Sequence, residues 1–246
     1  YNYFWADTFL SWNNQEFDQF CEMYSEIKLP FWMQTRPETL TDYKIKRLAE
    51  VGLHRISFGI EHGNEAFRKK LLKRDWKNGP IIEALKIPVK YGIAFSVNNI
   101  TGFPTETRDL AMHTVELNRH IESQNQNLYS FVPFHGTPLR KKCEELGLVE
   151  PGTITKALTD KPMLVQEKYT PEEIEGLQKC FVFYVKMPKS RWKDIEKAEE
   201  NTPEGNKVFA ELKEEYAENY LPPIEASSKN DSHNTADLEY GIEHAG

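Results

Sequence analysis

Ile100-Thr101-Gly102-Phe103-Pro104-Thr105-Glu106-Thr107 decides how the chain is read. The apolar run before it (Phe95, Val97, Ile100) has the composition of a buried strand, and the run after it has helical spacing. Between them a glycine permits a left-handed turn, a proline fixes its direction, and Thr105 or Thr107 supplies a helix cap. Glu106 is placed to anchor the loop from within. The stretch is therefore a strand-to-helix turn, and its importance depends on how often that unit recurs.

It recurs along the first 150 residues. Tyr3–Asp7 precedes a helix through Phe17, Phe20 and Tyr24. Phe31–Arg36 precedes a helix through Ile45, Leu48 and Ala49 closed by Gly52, and Arg55–Glu61 precedes one through Phe67, Leu71 and Leu72. The helix 81–89 ends before Gly92 and leads to the strand 94–100, followed by the helix 110–121. Leu128–Phe134 precedes the helix 139–146, which Gly147 terminates. Apolar strands spaced roughly 25 to 40 residues apart with helices between them indicate parallel βαβ units. Polar residues gather at the strand C-terminal ends: Asp7, Arg36, Glu61, Asn98 and Asn99, then Pro133 to Thr137. That placement favours a barrel or partial barrel with a ligand rim. An open doubly wound sheet would carry a glycine-rich phosphate loop near its start, and none is seen.

Beyond residue 150 the pattern changes. Thr170 caps a helix with Pro171 at its first position and Glu173 completing a capping box, and Ile174, Leu177, Phe181, Tyr184 and Val185 form one stripe. A further amphipathic helix is expected over 208–220. The domain plan expected is a partial barrel over 1–150, a helical extension over 151–221 and a disordered tail over 222–246, where Ser, Asn and Asp replace large apolar residues.

A net charge of −7 argues against a general nucleic-acid surface. The local basic cluster Arg68, Lys69, Lys70, Lys73 and Arg74 reads as a solvated helix face. No apolar run reaches the roughly 18 residues of a membrane span, and with a mean hydropathy of −0.64 the expectation is a cytoplasmic chain. Cys21, Cys143 and Cys180 are too far apart in sequence for a paired metal motif and sit among apolar neighbours, as buried thiols of a reducing compartment do. No metal site is expected from them.

The rim residues form a chemical set. Asp7 can accept from an ammonium, Arg36 can grip a carboxylate in bidentate fashion, Glu61 can take a sugar diol, and the Gly102–Pro104 backbone can receive a flat base. Each also has a structural reading: Asp7 as a helix cap, and Arg36 with Glu61 as a mutual ion pair.

At this point the chain resembles the radical S-adenosylmethionine (SAM) superfamily, in particular its cobalamin-linked members. The resemblance rests on Phe4-Trp5-Ala6-Asp7-Thr8-Phe9, Thr35-Arg36-Pro37, Gly59-Ile60-Glu61-His62-Gly63-Asn64-Glu65, Leu72-Lys73-Arg74, Gly102-Phe103-Pro104-Thr105-Glu106-Thr107 and Pro133-Phe134-His135-Gly136-Thr137-Pro138-Leu139. It implies an α/β fold, strand units two to six of a six-unit partial (β/α) barrel followed by C-terminal helices. It implies SAM bound by Asp7 (amine), Arg36 (methionine carboxylate), Glu61 (ribose or methionyl group), Gly102, Phe103 and Pro104 (adenine), and Asn98. It further implies a 4Fe–4S cluster, a cobalamin domain upstream in linked members, an electron donor such as flavodoxin or ferredoxin, and a small-molecule or peptide substrate. The activity implied is generation of a 5′-deoxyadenosyl radical from SAM, in a methyltransferase or oxidoreductase; the catalytic residues stay unassigned.

The C-x-x-x-C-x-x-C motif whose thiolates would hold the cluster is not in these 246 residues. Two readings stay open: a C-terminal portion whose cluster ligands lie before Tyr1, which is expected because the chain opens mid-strand without Met, or a degenerate barrel acting as a nucleoside-binding or interaction module.

Overall fold

The computed structural model describes residues 1–157 and 161–221, so the tail read over 222–246 lies outside the described residues. Five strands form one sheet in sequence order: β1 (Asn2–Phe4), β2 (Phe31–Thr35), β3 (Leu53–Glu61), β4 (Ala94–Thr101) and β5 (Asn125–Ser130). β1 to β4 pair in parallel. Along β5 the backbone bonds from Gln124 to Phe95 and from Phe131 to Thr101 advance together on both strands, which is the parallel sense.

The helices that return the chain are α1 (Asn14–Tyr24), α2 (Asp42–Glu50), α3 (Glu65–Leu72), α4 (Asn78–Lys90), α5 (Arg108–Asn118) and α6 (Pro138–Glu145), then α7 (Pro171–Lys186), α8 (Trp192–Glu199) and α9 (Pro203–Asn219). Thr170 and Glu173 form the expected capping box at α7, and Pro171 takes its first turn. At α5 the cap is Thr107, whose Oγ1 accepts from the Leu110 amide, while Thr105 stands in the turn at φ +68°. No helix among the described residues is long and apolar enough to cross a membrane.

Two compact units divide the chain, the boundary running through β4 after Asn99 and through α5 after Glu116. The first, Tyr1–Asn99 with Leu117–Gln126, has its own core of Phe17, Phe31, Met33, Ile45, Leu48, Ile56, Phe58, Phe95 and Val97. These are alternate residues of β2, β3 and β4 together with the inner stripes of α1 and α2, so the sequence periods of two and 3.6 meet there. The second unit holds Ile100–Glu116 and the described residues from Asn127 on, with a core of Tyr169, Ile174, Leu177, Cys180, Phe181 and Tyr184 from α7 and its approach, Ile195 from α8 and Leu212 from α9. There Arg108 binds Glu199 across 2.5 Å and its guanidinium stacks over Tyr184.

Three expectations need correction. β1 stops at Phe4, and Asp7 stands in the turn after it. β5 begins three residues before Leu128 and ends at Ser130; the apolar Phe131–Phe134 run that suggested a strand is the loop beyond it, where Phe131 and Val132 are buried and Phe134 is exposed. The basic cluster is not one solvated face, because Arg68 is buried at 1% exposure.

Candidate active site

Register puts Arg36, Glu61 and Asn98 near one level of the sheet, with Asp7 in the turn beyond β1. Phe4 pairs with Met33, so Asp7 and Arg36 each lie three residues further on, and Thr35 pairs with Phe58 while Gly59 pairs with Asn98. The structure thus brings Asp7, Arg36, Glu61 and Asn98 to the same C-terminal end of the parallel strands.

Between Gly59 and Glu61 the register slips against β4, a bulge that places Glu61 at φ +72°. A non-glycine residue in the left-handed region costs of order 1–3 kcal/mol and is held only by its surroundings. Here the surroundings are explicit. The Glu61 carboxylate folds back over the Gly59 backbone so closely that a Cβ on Gly59 would lie 2.5 Å from Oε1. Arg74 Nη1 approaches the same Oε1 at 3.2 Å and donates to the Gly59 carbonyl at 3.0 Å. The Glu61 side chain is 20% exposed, and burial raises its pKa above the ordinary value, opposed by Arg74 and then Arg36, with Glu38 adding to the rise. Oε2 has no hydrogen-bond partner among the described residues.

The other candidates are unevenly engaged. Arg36 makes no ion pair or side-chain hydrogen bond among the described residues, and its action on Glu61 is through space. Asp7 is exposed and caps nothing; the α1 cap is Asn13. Asn98 donates from Nδ2 to Ser57 Oγ at 2.8 Å.

In the second unit Gly102 has φ +80°, and a Cβ there would meet Ile174 Cδ1 at 3.0 Å. Phe103 is buried with its ring 5.0 Å from that of Phe131, its amide donates to Glu106 Oε2 at 2.9 Å, and its carbonyl accepts from Gln166. Pro104 is buried, and the Thr105 amide donates to Gln166 Oε1 at 2.7 Å. Glu106 is therefore the internal anchor expected, and the turn is filled by the chain's own side chains.

Gly59 as the floor of the carboxylate and Arg74 as its partner are the residues that sequence reasoning missed. α3 has eight residues, about 12 Å of rise, so a long side chain just after it can reach back to the end of β3. Arg68 fixes that return: its guanidinium donates to the His62 and Trp76 carbonyls and to Asn78 Oδ1. Asn78 in turn donates to the Gly63 carbonyl. The signal available was the Leu72-Lys73-Arg74 stretch, in which Lys73 ends α3 at φ +57°.

The three thiols are all buried, and burial pushes them up to about 11 (Cys21), about 11 (Cys143) and about 12 (Cys180). They occupy α1, α6 and α7, and no group of three metal-ligating side chains occurs among the described residues. This donor set does not fit an iron–sulfur cluster.

Residues 13–117 match the radical SAM superfamily. Over those residues the chain is similar to that superfamily. An uncharacterized methyltransferase of Pyrococcus horikoshii is 24% identical over 170 residues, which are 69% of this chain and 37% of that protein. A tRNA-2-methylthio-N(6)-dimethylallyladenosine synthase of Halalkalibacterium halodurans is 31% identical over 112 residues, 44% of this chain and 20% of that protein. The chain thus spans well under half the length of these curated relatives. Among solved structures, the cobalamin-dependent S-adenosylmethionine radical enzyme OxsB aligns with a TM-score of 0.53 at 13% identity, covering 88% of this chain and 38% of that one. The five-stranded parallel α/β arrangement is the fold of radical SAM partial barrels.

Proposed function

We propose that this chain is the SAM-binding part of a radical SAM enzyme that transfers a methyl group. The observation that carries the proposal is the Glu61 carboxylate: partly buried, one oxygen held by Arg74, the other without a partner at the C-terminal end of a parallel sheet. An ionised carboxylate in that setting accepts a ligand hydroxyl through a charge-assisted hydrogen bond. Arg36, without an ion-pair partner, suits the ligand's carboxylate, and Asp7 suits its ammonium. Asn98 is the neighbouring amide at the same end of the sheet. When bound, SAM supplies the radical chemistry, while these residues hold and orient it. The methyl-transfer half of the proposal draws on the named activity of the Pyrococcus relative, and a cobalamin partner domain draws on the fold shared with OxsB. The substrate and electron donor would be met elsewhere in the protein.

The test is isothermal titration of the full-length protein with SAM. Glu61→Ala should weaken binding roughly tenfold or more, the loss of one charge-assisted acceptor, in a protein that still unfolds cooperatively. Unchanged affinity removes Glu61 from the site. A full-length protein that binds SAM yet acquires no cluster absorbance on anaerobic reconstitution would be a binding module, and the enzymatic half of the proposal would fall.

A further inference from the structure

We infer that the sheet face opposite α1 and α2 binds a second ligand, a planar aromatic ring that carries a carboxylate, on Trp5, Tyr3, Trp32 and Arg55. One face of β2 to β4, with Phe31, Met33, Ile56, Phe58, Phe95 and Val97, packs into the core of the first unit. The opposite face is built differently. Tyr3 pairs with Trp32, Trp32 with Arg55, Gln34 with Ser57 and Ser57 with Ser96, and none of these residues joins that core. Rings interspersed with a few polar groups suit a bound small molecule.

Several polar groups of this face answer one another. The Tyr3 hydroxyl accepts from Gln34 Nε2 at 2.9 Å, and Ser57 Oγ accepts from Asn98 Nδ2 at 2.8 Å and from Ser96 Oγ at 3.3 Å. The Trp32 indole nitrogen is buried and meets no acceptor among the described residues. An unpaired buried donor is costly, and an acceptor on a ligand removes that cost. The neighbouring cation sets the charge of that acceptor. Arg55 is buried at 8% exposure, with its guanidinium 5.5 Å from the centre of the Trp32 ring. A guanidinium over an aromatic ring keeps its donors at its edge, and beside an indole N–H it favours an oxyanion over a neutral oxygen. The other rings supply the rest. Tyr3 lies edge-on to Trp32 at 5.1 Å, and Trp5, 80% exposed beyond the end of β1, lies 5.2 Å from Tyr3. Trp5 thus offers most of its surface to a planar ligand, while its contact with Tyr3 fixes where the indole sits.

The experiment is calorimetric titration of the full-length protein with indole-3-acetate, with its neutral amide indole-3-acetamide, and separately with S-adenosylhomocysteine. Wild type should bind the acid roughly tenfold more tightly than the amide, the worth of a charge-assisted hydrogen bond. Trp32→Phe keeps a ring and deletes the indole N–H. It should weaken acid binding roughly threefold to tenfold while leaving the ligand-free protein at least as stable as wild type. Trp5→Ala should weaken acid and amide alike by roughly threefold to tenfold, and Trp5→Phe should restore most of that loss. Each variant should bind S-adenosylhomocysteine as wild type does. Equal affinity for acid and amide, unchanged acid affinity in Trp5→Ala or in a folded Trp32→Phe, or a wild type that binds neither probe overturns the inference. If Trp32→Phe does not fold, the exposed Trp5 decides it alone. A loss in Trp5→Ala that extends equally to S-adenosylhomocysteine also overturns it, the face then serving the cofactor. Failure of Glu61→Ala to weaken SAM binding would refute the Glu61 assignment and leave the preference for acid over amide standing.

Discussion

Gly59→Ala separates a residue kept for the site from one kept for the fold. Gly59 does not occupy the left-handed region that favours glycine, and the atom a Cβ would meet is Glu61 Oε1, at 2.5 Å, with the rest of that carboxylate next nearest. The new methyl therefore strikes the movable end of a side chain, and the backbone has no reason to shift. Restricting the unfolded chain by replacing glycine with alanine stabilises by about 0.4–1 kcal/mol where the native backbone permits it. Against this stands the partly buried ion pair of Glu61 with Arg74, worth about 1 kcal/mol, which is only loosened if the carboxylate swings outward. The net change in stability should lie within about 1 kcal/mol of zero, from the difference of those terms. Ligand affinity should behave differently, because the displaced carboxylate no longer presents its free oxygen in place; a loss of roughly tenfold is expected. Urea unfolding and titration with S-adenosylhomocysteine, performed on the same preparation, measure the two quantities. Wild-type affinity in Gly59→Ala, or a stability loss above about 3 kcal/mol with unchanged affinity per folded molecule, would refute the account of Gly59 as a seat for Glu61.

Gly102→Ala should cost about 1–2 kcal/mol from the left-handed backbone alone, with more from the contact at Ile174 Cδ1. Ile174→Val removes that atom, so a double-mutant cycle by chemical denaturation should show the alanine costing less in the Val background; strict additivity would argue that the contact is relaxed already. The Glu61 carboxyl, raised by burial, binds its proton more tightly in the folded chain than in the unfolded one, so its contribution to stability is present below the ordinary value of 4.5 and is lost as pH rises through the raised folded value. Comparing wild type with Glu61→Gln across that range cancels the other titrating groups: the stability difference should move in favour of the Gln variant as pH rises, and a flat difference would show that the carboxyl is not desolvated.

The sheet was legible because parallel strands must be apolar on both faces and must be separated by helices, which leaves a rhythm no surface loop mimics. Caps were legible for the same local reason: Thr170, Pro171 and Glu173 interact only with their own helix. β5 was misplaced because Asn125–Ser130 is mostly polar, with Gln126 buried and donating to the Asn118 carbonyl, whereas the apolar run after it is a loop. α8 was missed because Trp192–Glu199 buries only Ile195 and Ala198, too short an apolar stripe to stand out. At the site, the residue types at the strand ends could be read, but their pairing could not. Glu61 and Arg36 looked like natural partners at adjacent strand ends, while the contact goes to Arg74, thirteen residues along the same chain, through a loop whose course is set by a buried arginine.

Departures from local rules coincide at Glu61. Elsewhere in the first unit they stand singly, as a register shift at Phe31/Trp32 and positive φ at Lys28 and Lys73, beside alternating strands and a reciprocal Asn99–Asn118 amide pair where polar groups are buried. At Glu61 three rules are broken together, with a bulge in the ladder, a positive φ at a non-glycine residue and a carboxylate withdrawn from water. Each is a cost that a Gly or an Asn at the same position would reduce. An ion pair with Arg74 alone does not require them, because a flexible arginine could meet a glutamate on an unbulged strand in water. What the three together achieve is a carboxylate set rigidly at the end of β3, desolvated enough to bind strongly and with one oxygen open. Such a group suits the role of ligand acceptor proposed for it, and this is why Glu61, more than the self-filled Gly102–Pro104 turn, carries the functional proposal.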